Sequence, residues 1–278
     1  MNIKIFLCCH KSFSIVPPLC IPIQGGRAIN PTVLGVMGDD CGDSISEKNR
    51  EYCELTVQYY AWKNENLDYY GFCHYRRFFC FDESVRYPYL ALGKLSEKQQ
   101  KRFLGDLQTA ERLCESFDMI LPRSEDMGVT VKEHYCTSAH HHSEDLALFM
   151  KIIGEKAPQL LPCAEEYMSQ TKQYFCNMFI IRRELFNEYC GLLFPLLEEF
   201  DRRKTLHGRF QDDRTDGYLG ERFVGIFAAY CRTRGMKIKE LPRLDISCAM
   251  KKRLMFKLFP PQSKRRFLAK KLAKTAHK

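Results

Sequence analysis

Residues 42–79, GDSISEKNREYCELTVQYYAWKNENLDYYGFCHYRRFF, restrict the possible folds more than any other part of the chain. A polar loop runs into a pattern in which Tyr52, Leu55, Tyr59 and Trp62 recur at three- and four-residue spacing. That period marks an amphipathic helix ending near Asn64. Ser46, with Glu47 in the first turn and Asn49 three residues on, supplies a capping pattern at its start. Residues 68–73 (DYYGFC) then read as a short buried strand that delivers His74-Tyr75-Arg76-Arg77 at its carboxyl end. Polar side chains at the carboxyl ends of strands are where open α/β sheets present ligand sites. Two guanidiniums there suit a phosphate-bearing ligand, because the Arg fork matches phosphate oxygens two at a time. Aromatic residues flank the arginines on both sides, which argues against a merely solvated strand end. Nucleotide chemistry is indicated, yet the chain has neither a P-loop nor a dinucleotide-binding glycine fingerprint.

The remaining chain alternates in the same manner. Strands are expected at 3–9, 21–24, 117–121, 175–182 and 237–241, and helices at 144–155, 184–200 and 218–232. Residues 82–117 carry a charged, helical pattern, and a loop is expected up to Tyr135. Such alternation predicts an α/β fold: one domain with a mostly parallel or mixed central sheet flanked by helices. A chain of 278 residues, 45% hydrophobic, is long enough to bury a substantial core. Its fourteen cysteines are scattered without a single CxxC spacing, and several sit in apolar runs. They read as reduced, buried thiols of a cytoplasmic protein rather than disulfides or zinc ligands. No apolar run approaches the ~20 residues of a membrane span. The first apolar stretch stops at His10-Lys11, too early for a signal-peptide core.

Charge divides the chain into a body and a tail. The net charge is +9, but residues 251–278 hold eleven Lys or Arg and no acidic residue, which leaves residues 1–250 at −2. The expected division is therefore a domain over 1–248 and a basic tail over 249–278. The tail forms two amphipathic pieces around Pro260-Pro261, with Phe267, Leu268 and Leu272 on one face of the second. That composition suits an anionic membrane surface, each basic residue adding about 1 kcal/mol near the headgroups. A disordered solubilising tail and a nucleic-acid contact are the competing readings; the slightly acidic body lacks any nucleic-acid recognition motif.

Several other residues are candidates for chemistry. Lys48 and Asn49 sit where a helix N-terminus offers unpaired N–H groups to a phosphate. His140-His141-His142 with Glu144 and Asp145 resemble a metal cluster in residue type only, because adjacent histidines point in different directions and zinc ligands are normally spaced. Acceptor binding or capping of the following helix suits them better. Asn177 interrupts an apolar strand and is expected to face a cleft; the other reading is a core amide with satisfied hydrogen bonds. Residues 211–222, QDDRTDGYLGER, place carboxylates ahead of and inside a helix, where one could serve as a general base or simply form a solvated charged face.

With these residues in place, the sequence resembles a bacterial family of capsular, exopolysaccharide and O-antigen glycosyltransferases long catalogued as domain of unknown function 4422. The resemblance rests on His10-Lys11, IPIQGGRA (21–28), GDSISEKN (42–49), YCEL (52–55), YAWKN (60–64), YYGFCHYRR (69–77), HHSEDL (141–146), NMFIIRRELFNEYC (177–190) and GYLGERF (217–223). It runs collinearly over residues 3–245 and leaves the tail outside.

The resemblance implies a GT-A-like enzyme that moves a hexose, galactose in pyranose or furanose form, from a nucleotide-sugar donor that is UDP-linked. The acceptor is then a lipid-linked glycan at the inner face of the cytoplasmic membrane. The rival is a non-catalytic nucleotide-binding protein of polysaccharide assembly. Donor contacts are assigned to His10, Lys11, Gln24, Gly25, Asp43, Ser46, Lys48, Asn49, His74, Tyr75, Arg76, Arg77 and Asn177. The acceptor or sugar side is assigned to His141, His142, Asp145 and Arg222. Glu221 is the first choice of base, with Asp216 and Asp213 behind it. GT-A enzymes normally hold a divalent metal on the diphosphate through an Asp-X-Asp pair. His74-Tyr75-Arg76 stand in the corresponding place, so the expectation is no required metal, with Arg76 and Arg77 neutralising the diphosphate directly. Mn²⁺ or Mg²⁺ is the alternative, and Asp39, Asp40 and Asp43 are then the nearest carboxylates.

Overall fold

A computed structural model describes residues 1–204 and 214–246, together with the isolated positions Leu254 and Leu258. Its strands are β1 (Ile3–Cys9), β2 (Cys20–Gln24), β3 (Met37–Gly38), β4 (Tyr69–His74), β5 (Arg77–Phe79), β6 (Tyr89–Ala91), β7 (Met119–Pro122), β8 (Glu125–Asp126), β9 (Lys172–Gln173), β10 (Phe179–Arg182), β11 (Ile238–Leu241) and β12 (Arg243–Asp245). The helices are α1 (Asn49–Tyr52), α2 (Leu55–Asn64), α3 (Glu97–Phe103), α4 (Leu107–Ser116), α5 (Val131–Cys136), α6 (Ser143–Lys156), α7 (Leu161–Ser169), α8 (Arg183–Arg203) and α9 (Thr215–Thr233).

The main sheet runs in the order β11-β7-β10-β4-β1-β2-β3. Neighbours are parallel except β10, which is antiparallel to both β4 and β7. The expected α/β class with a mostly parallel, mixed sheet flanked by helices is the observed one. β1 and β4 are apolar on both faces because both faces are covered. Phe6, Phe72 and Phe179 pack on the side of α2, α6, α8 and α9, while Ile5, Leu7, Cys73 and Ile180 pack on the other. Gly71 permits the close approach of β4 to both neighbours: a Cβ there would lie 2.7 Å from Ile5 Cγ1 and 3.2 Å from Ile180 Cγ1. Among the described residues, no helix is long and apolar enough to cross a membrane.

Several elements differ from their expected form. The helix anticipated across residues 46–64 is interrupted at Cys53, whose φ of 52° is in the left-handed region. Its first turn, Ser46–Lys48, is a 3-10 turn with no side-chain cap. The strand expected over 175–182 begins only at Phe179, because Cys176 and Asn177 both take positive φ. The stretch 82–117 holds β6 as well as α3 and α4, and α5 occupies part of the expected loop before Tyr135. Asp213 and nearly all of the basic tail lie outside the described residues.

Candidate functional site

A cavity of about 340 Å³ opens at the carboxyl ends of β1 and β2, with His10, Gly25, Gly26 and Asn30 on one side and Asn49, Arg50, Glu54 and Arg214 on the other. Its glycine wall hangs on Asp39, which is fully buried. The Asp39 carboxylate accepts from Gly26 N (2.9 Å), Arg27 N (3.2 Å), Ser46 Oγ (2.5 Å) and Thr56 Oγ1 (2.6 Å). Ser46 Oγ in turn accepts from Ala28 N at 3.2 Å, so the serine ties the loop rather than capping a helix. Opposite the glycines, Asn49 Nδ2 donates to Cys53 O (2.6 Å) and Thr56 Oγ1 (2.8 Å). The break at Cys53 also brings in α9, because Arg214 Nε donates to Cys53 Sγ at 3.2 Å.

The His74–Arg77 cluster forms the two-residue turn between β4 and β5, where His74 pairs with Arg77. The turn divides the cluster. Arg76 is exposed, its guanidinium 4.8 Å from the centre of the buried Tyr75 ring. Arg77 instead lies against Asp245, Nε to Oδ1 3.3 Å, and holds β12 in place. His74 is buried, with Nδ1 accepting from the Arg76 amide at 3.4 Å. The His10 ring packs edge-on to Tyr75 at 4.9 Å. Burial and then the neighbouring arginines push His74 down to about 2. Burial and Lys11 push His10 down to about 4. Both rings are therefore neutral at neutral pH, and the charge at the mouth is carried by arginine.

Glu221 belongs to the same face. One carboxylate oxygen accepts from the Cys176 amide and the other from Arg222, which is almost fully buried and also donates to Gln173. The left-handed backbone at Cys176 aims that amide at the carboxylate. The His141 ring lies 4.2 Å from Tyr218 and 4.3 Å from Tyr135, and burial pushes its pKa down to about 4. Arg214 lies over the other side of this group, 5.7 Å from the Tyr218 ring centre. Glu221, Arg222, Tyr218 and His141 thus adjoin the cavity through Arg214.

Other expected site residues have structural positions. Asn177 is buried rather than facing the cleft: its Nδ2 donates to Gly217 O at 3.1 Å and its carbonyl accepts from Gln58. Gln24 pins the following loop, donating to Thr32 O and accepting from Leu34 N. Asp43 accepts from Tyr59 midway along α2, its backbone is held by Asn64 at the end of that helix, and it does not line the cavity. Lys48 lies 3.7 Å from Asp201 and over the Tyr52 ring, and it does not line the cavity. Asp145 faces Thr215, His142 occupies the N-cap position of α6, and Lys11 is exposed just beyond β1. Sequence reasoning passed over Glu54, Arg50 and Arg214. Glu54 sits inside the YCEL motif and Arg214 inside the acidic stretch; neither stands out until Cys53 breaks the helix and brings them together.

Carboxylates suited to a metal on a diphosphate are scarce here. Mg²⁺ and Mn²⁺ take oxygen ligands, but Asp39 has both oxygens filled by protein donors and Asp40 pairs with Arg27 Nε at 2.8 Å. Among the described residues, Glu54 is left as the carboxylate on the cavity wall. These residues do not fit a carboxylate-held metal. Elsewhere, oxygens of Glu51, Asp201 and Asp216 lie within 4.8 Å of one another. Lys204 Nζ fills that group at 3.1, 2.6 and 3.2 Å respectively. Asp216 is thereby enclosed and fully buried, which removes it as a base facing an acceptor.

The chain is similar to the solved apo structure of WbbM, a bifunctional glycosyltransferase, with a TM-score of 0.82 and 30% sequence identity. The likeness covers 89% of this chain and 46% of that one, so the chain spans under half the length of the protein it matches. No curated protein matches it. Residues 4–232 match the family described as domain of unknown function 4422, and the chain belongs to that family.

Proposed function

We propose that this chain is a glycosyltransferase whose cavity takes the nucleoside of a nucleotide-sugar donor and whose arginines, Arg50 and Arg214 on the cavity wall with Arg76 on Tyr75 beside His10, take the diphosphate. The observation that carries this reading is the cavity at the ends of β1 and β2, rimmed by arginines, in a fold similar to that of a glycosyltransferase. Ile29, Pro31 and Val57 give the cavity apolar walls, and Asn30 and Asn49 give it polar edges, a composition suited to a planar base and ribose. Fixed guanidiniums aimed at the leaving diphosphate stabilise the charge that develops there. No metal is required in this reading. Glu221, oriented by Arg222 and the Cys176 amide, is the base that takes the acceptor hydroxyl proton.

The family resemblance favours a hexose, galactose in pyranose or furanose form, on UDP, and a lipid-linked acceptor in capsule, exopolysaccharide or O-antigen synthesis. Residues 251–278 would then rest on the anionic inner face of the cytoplasmic membrane. The test is a thermal-shift screen against UDP-, GDP- and dTDP-sugars, followed by transfer to membrane extracts with and without excess EDTA. Turnover that survives EDTA and falls in Arg76→Ala and Arg214→Ala supports the reading. Strict dependence on Mn²⁺ or Mg²⁺ refutes the metal-free part, and binding without turnover supports a non-catalytic nucleotide-binding role.

A further inference from the structure

Glu54 places a carboxyl group inside a cavity otherwise suited to an anion, and the mechanism above makes no use of it. Its side chain is 19% exposed, and Oε1 lies 3.6 Å from His74 Nε2. His74 Nδ1 already accepts from the Arg76 amide, so the ring proton sits on Nε2, facing Glu54. Because His74 is neutral, it offers Glu54 a dipole and no counter-charge.

The other groups around Glu54 do not reverse this. Burial pushes the carboxyl above its usual range, outweighing its own backbone amide and Arg214 and Arg77, which favour the ionised form; Glu221 adds to the rise. The Cys8 and Cys53 thiols and the Tyr218 phenol are pushed up as well and stay protonated. His10, neutral at neutral pH, and Arg50 complete the wall. A bound diphosphate adds negative charge nearby and favours the neutral carboxyl further.

We propose that Glu54 binds the donor as a neutral carboxylic acid, its O–H donating to a phosphate oxygen of a nucleoside diphosphate at the cavity mouth. This rests on the reading of the cavity as a nucleotide-sugar site. The neutral acid removes a repulsion and adds a donor, and a proton then accompanies the ligand. Affinity must fall by up to about ten-fold per pH unit once the carboxyl ionises in the free protein. Glutamine has the same shape and a permanent N–H donor, so Glu54→Gln keeps binding and loses the proton.

UDP is the probe, titrated calorimetrically between about pH 6 and about pH 9 in buffers of differing ionisation enthalpy. The wild type should take up more protons than Glu54→Gln, by up to one per UDP. The variant should bind at least as tightly at the alkaline end, with a correspondingly flatter pH dependence. Equal proton uptake and equal slopes overturn the proposal while leaving the nucleotide site standing. Failure of UDP, GDP and dTDP alike to bind the wild type overturns the site itself and the proposal with it. If Glu54→Gln does not fold, infrared difference spectra of the wild type decide: a protonated-carboxyl band strengthened by UDP supports the proposal, and its absence overturns it.

Discussion

Replacing Asp39 by Asn tests whether this carboxylate is a scaffold or a metal ligand. Asparagine preserves the shape but turns one oxygen into an NH₂ group. If the amide nitrogen replaces Oδ2, it faces the Gly26 N–H and the Thr56 hydroxyl; if it replaces Oδ1, it faces the Arg27 N–H and the Ser46 hydroxyl. A hydroxyl can turn and accept, and Thr56 already has Cys53 O as a second acceptor at 3.2 Å. A backbone N–H cannot turn. Either orientation therefore strands one amide, at a cost of about 1–3 kcal/mol. The surviving bonds lose their charge assistance as well, so the total is about 2–4 kcal/mol against a typical stability of about 5–15 kcal/mol. Urea unfolding followed by tryptophan fluorescence measures it, Trp62 being the single tryptophan. UDP affinity should drop in parallel, since both amides belong to the loop that carries Gly26 on the cavity wall. A loss below about 1 kcal/mol refutes the scaffold argument. So does normal stability combined with lost activity, the pattern expected of a metal ligand.

Gly26 has φ 67°, and an added Cβ would lie 2.5 Å from Asn49 Oδ1. Gly26→Ala should cost at least about 1–2 kcal/mol for the backbone alone, and displacing Asn49 should weaken UDP binding by isothermal titration. Glu221→Gln should lower kcat by about 10²–10⁴ with little change in donor KM, as for loss of a general base; near-wild-type turnover removes that assignment. Burial and Asp201 push Asp216 up to about 8, despite Lys204. The folded state then holds this proton more tightly than the unfolded one, so the stability it contributes is present below about pH 4 and is lost as pH rises through about 8. Asp216→Asn should flatten that decline in thermal melts taken across this range, and an unchanged profile refutes the assignment.

The periodic elements were legible in the sequence, because their side chains alternate or repeat against a two-sided sheet. β1, β4 and α8 fall close to their expected positions for that reason. Elements set by backbone conformation were not legible. Nothing in the residue type marks Cys53 or Cys176 for positive φ, and Asn177, a type that tolerates it, lies in an apolar run that reads as strand; yet those positions break a helix, shorten a strand and turn an amide toward Glu221. The His74–Arg77 cluster was legible as a polar group at the carboxyl end of β4, but its division was not. A two-residue turn sends neighbouring arginines to different partners, and the partner of Arg77 is Asp245, far along the chain. Lys48 and Asp43 misled for the complementary reason: each finds a nearby partner on α8 or α2 that sequence proximity does not reveal.

In the proposed mechanism the same division lets arginine, rather than a metal or histidine, supply the site's charge. Asp39 and Asp40, the carboxylates nearest the glycine loop, are occupied in holding that loop and Arg27. A metal placed there would compete with the contacts that shape the cavity. Histidine cannot supply the charge either, because burial holds His10 and His74 at about 4 and about 2. Both bind a proton less readily in the folded state than in the unfolded one, so the stability they contribute is present above about pH 6.5 and is lost as pH falls toward those values. Acid therefore weakens the fold before it charges the rings. A guanidinium escapes both limits, staying charged throughout and, at Arg76, resting on an aromatic face that fixes its direction. In the proposed site, Arg50, Arg76 and Arg214 would thus meet a diphosphate without asking the surrounding loop for a carboxylate it does not have to spare.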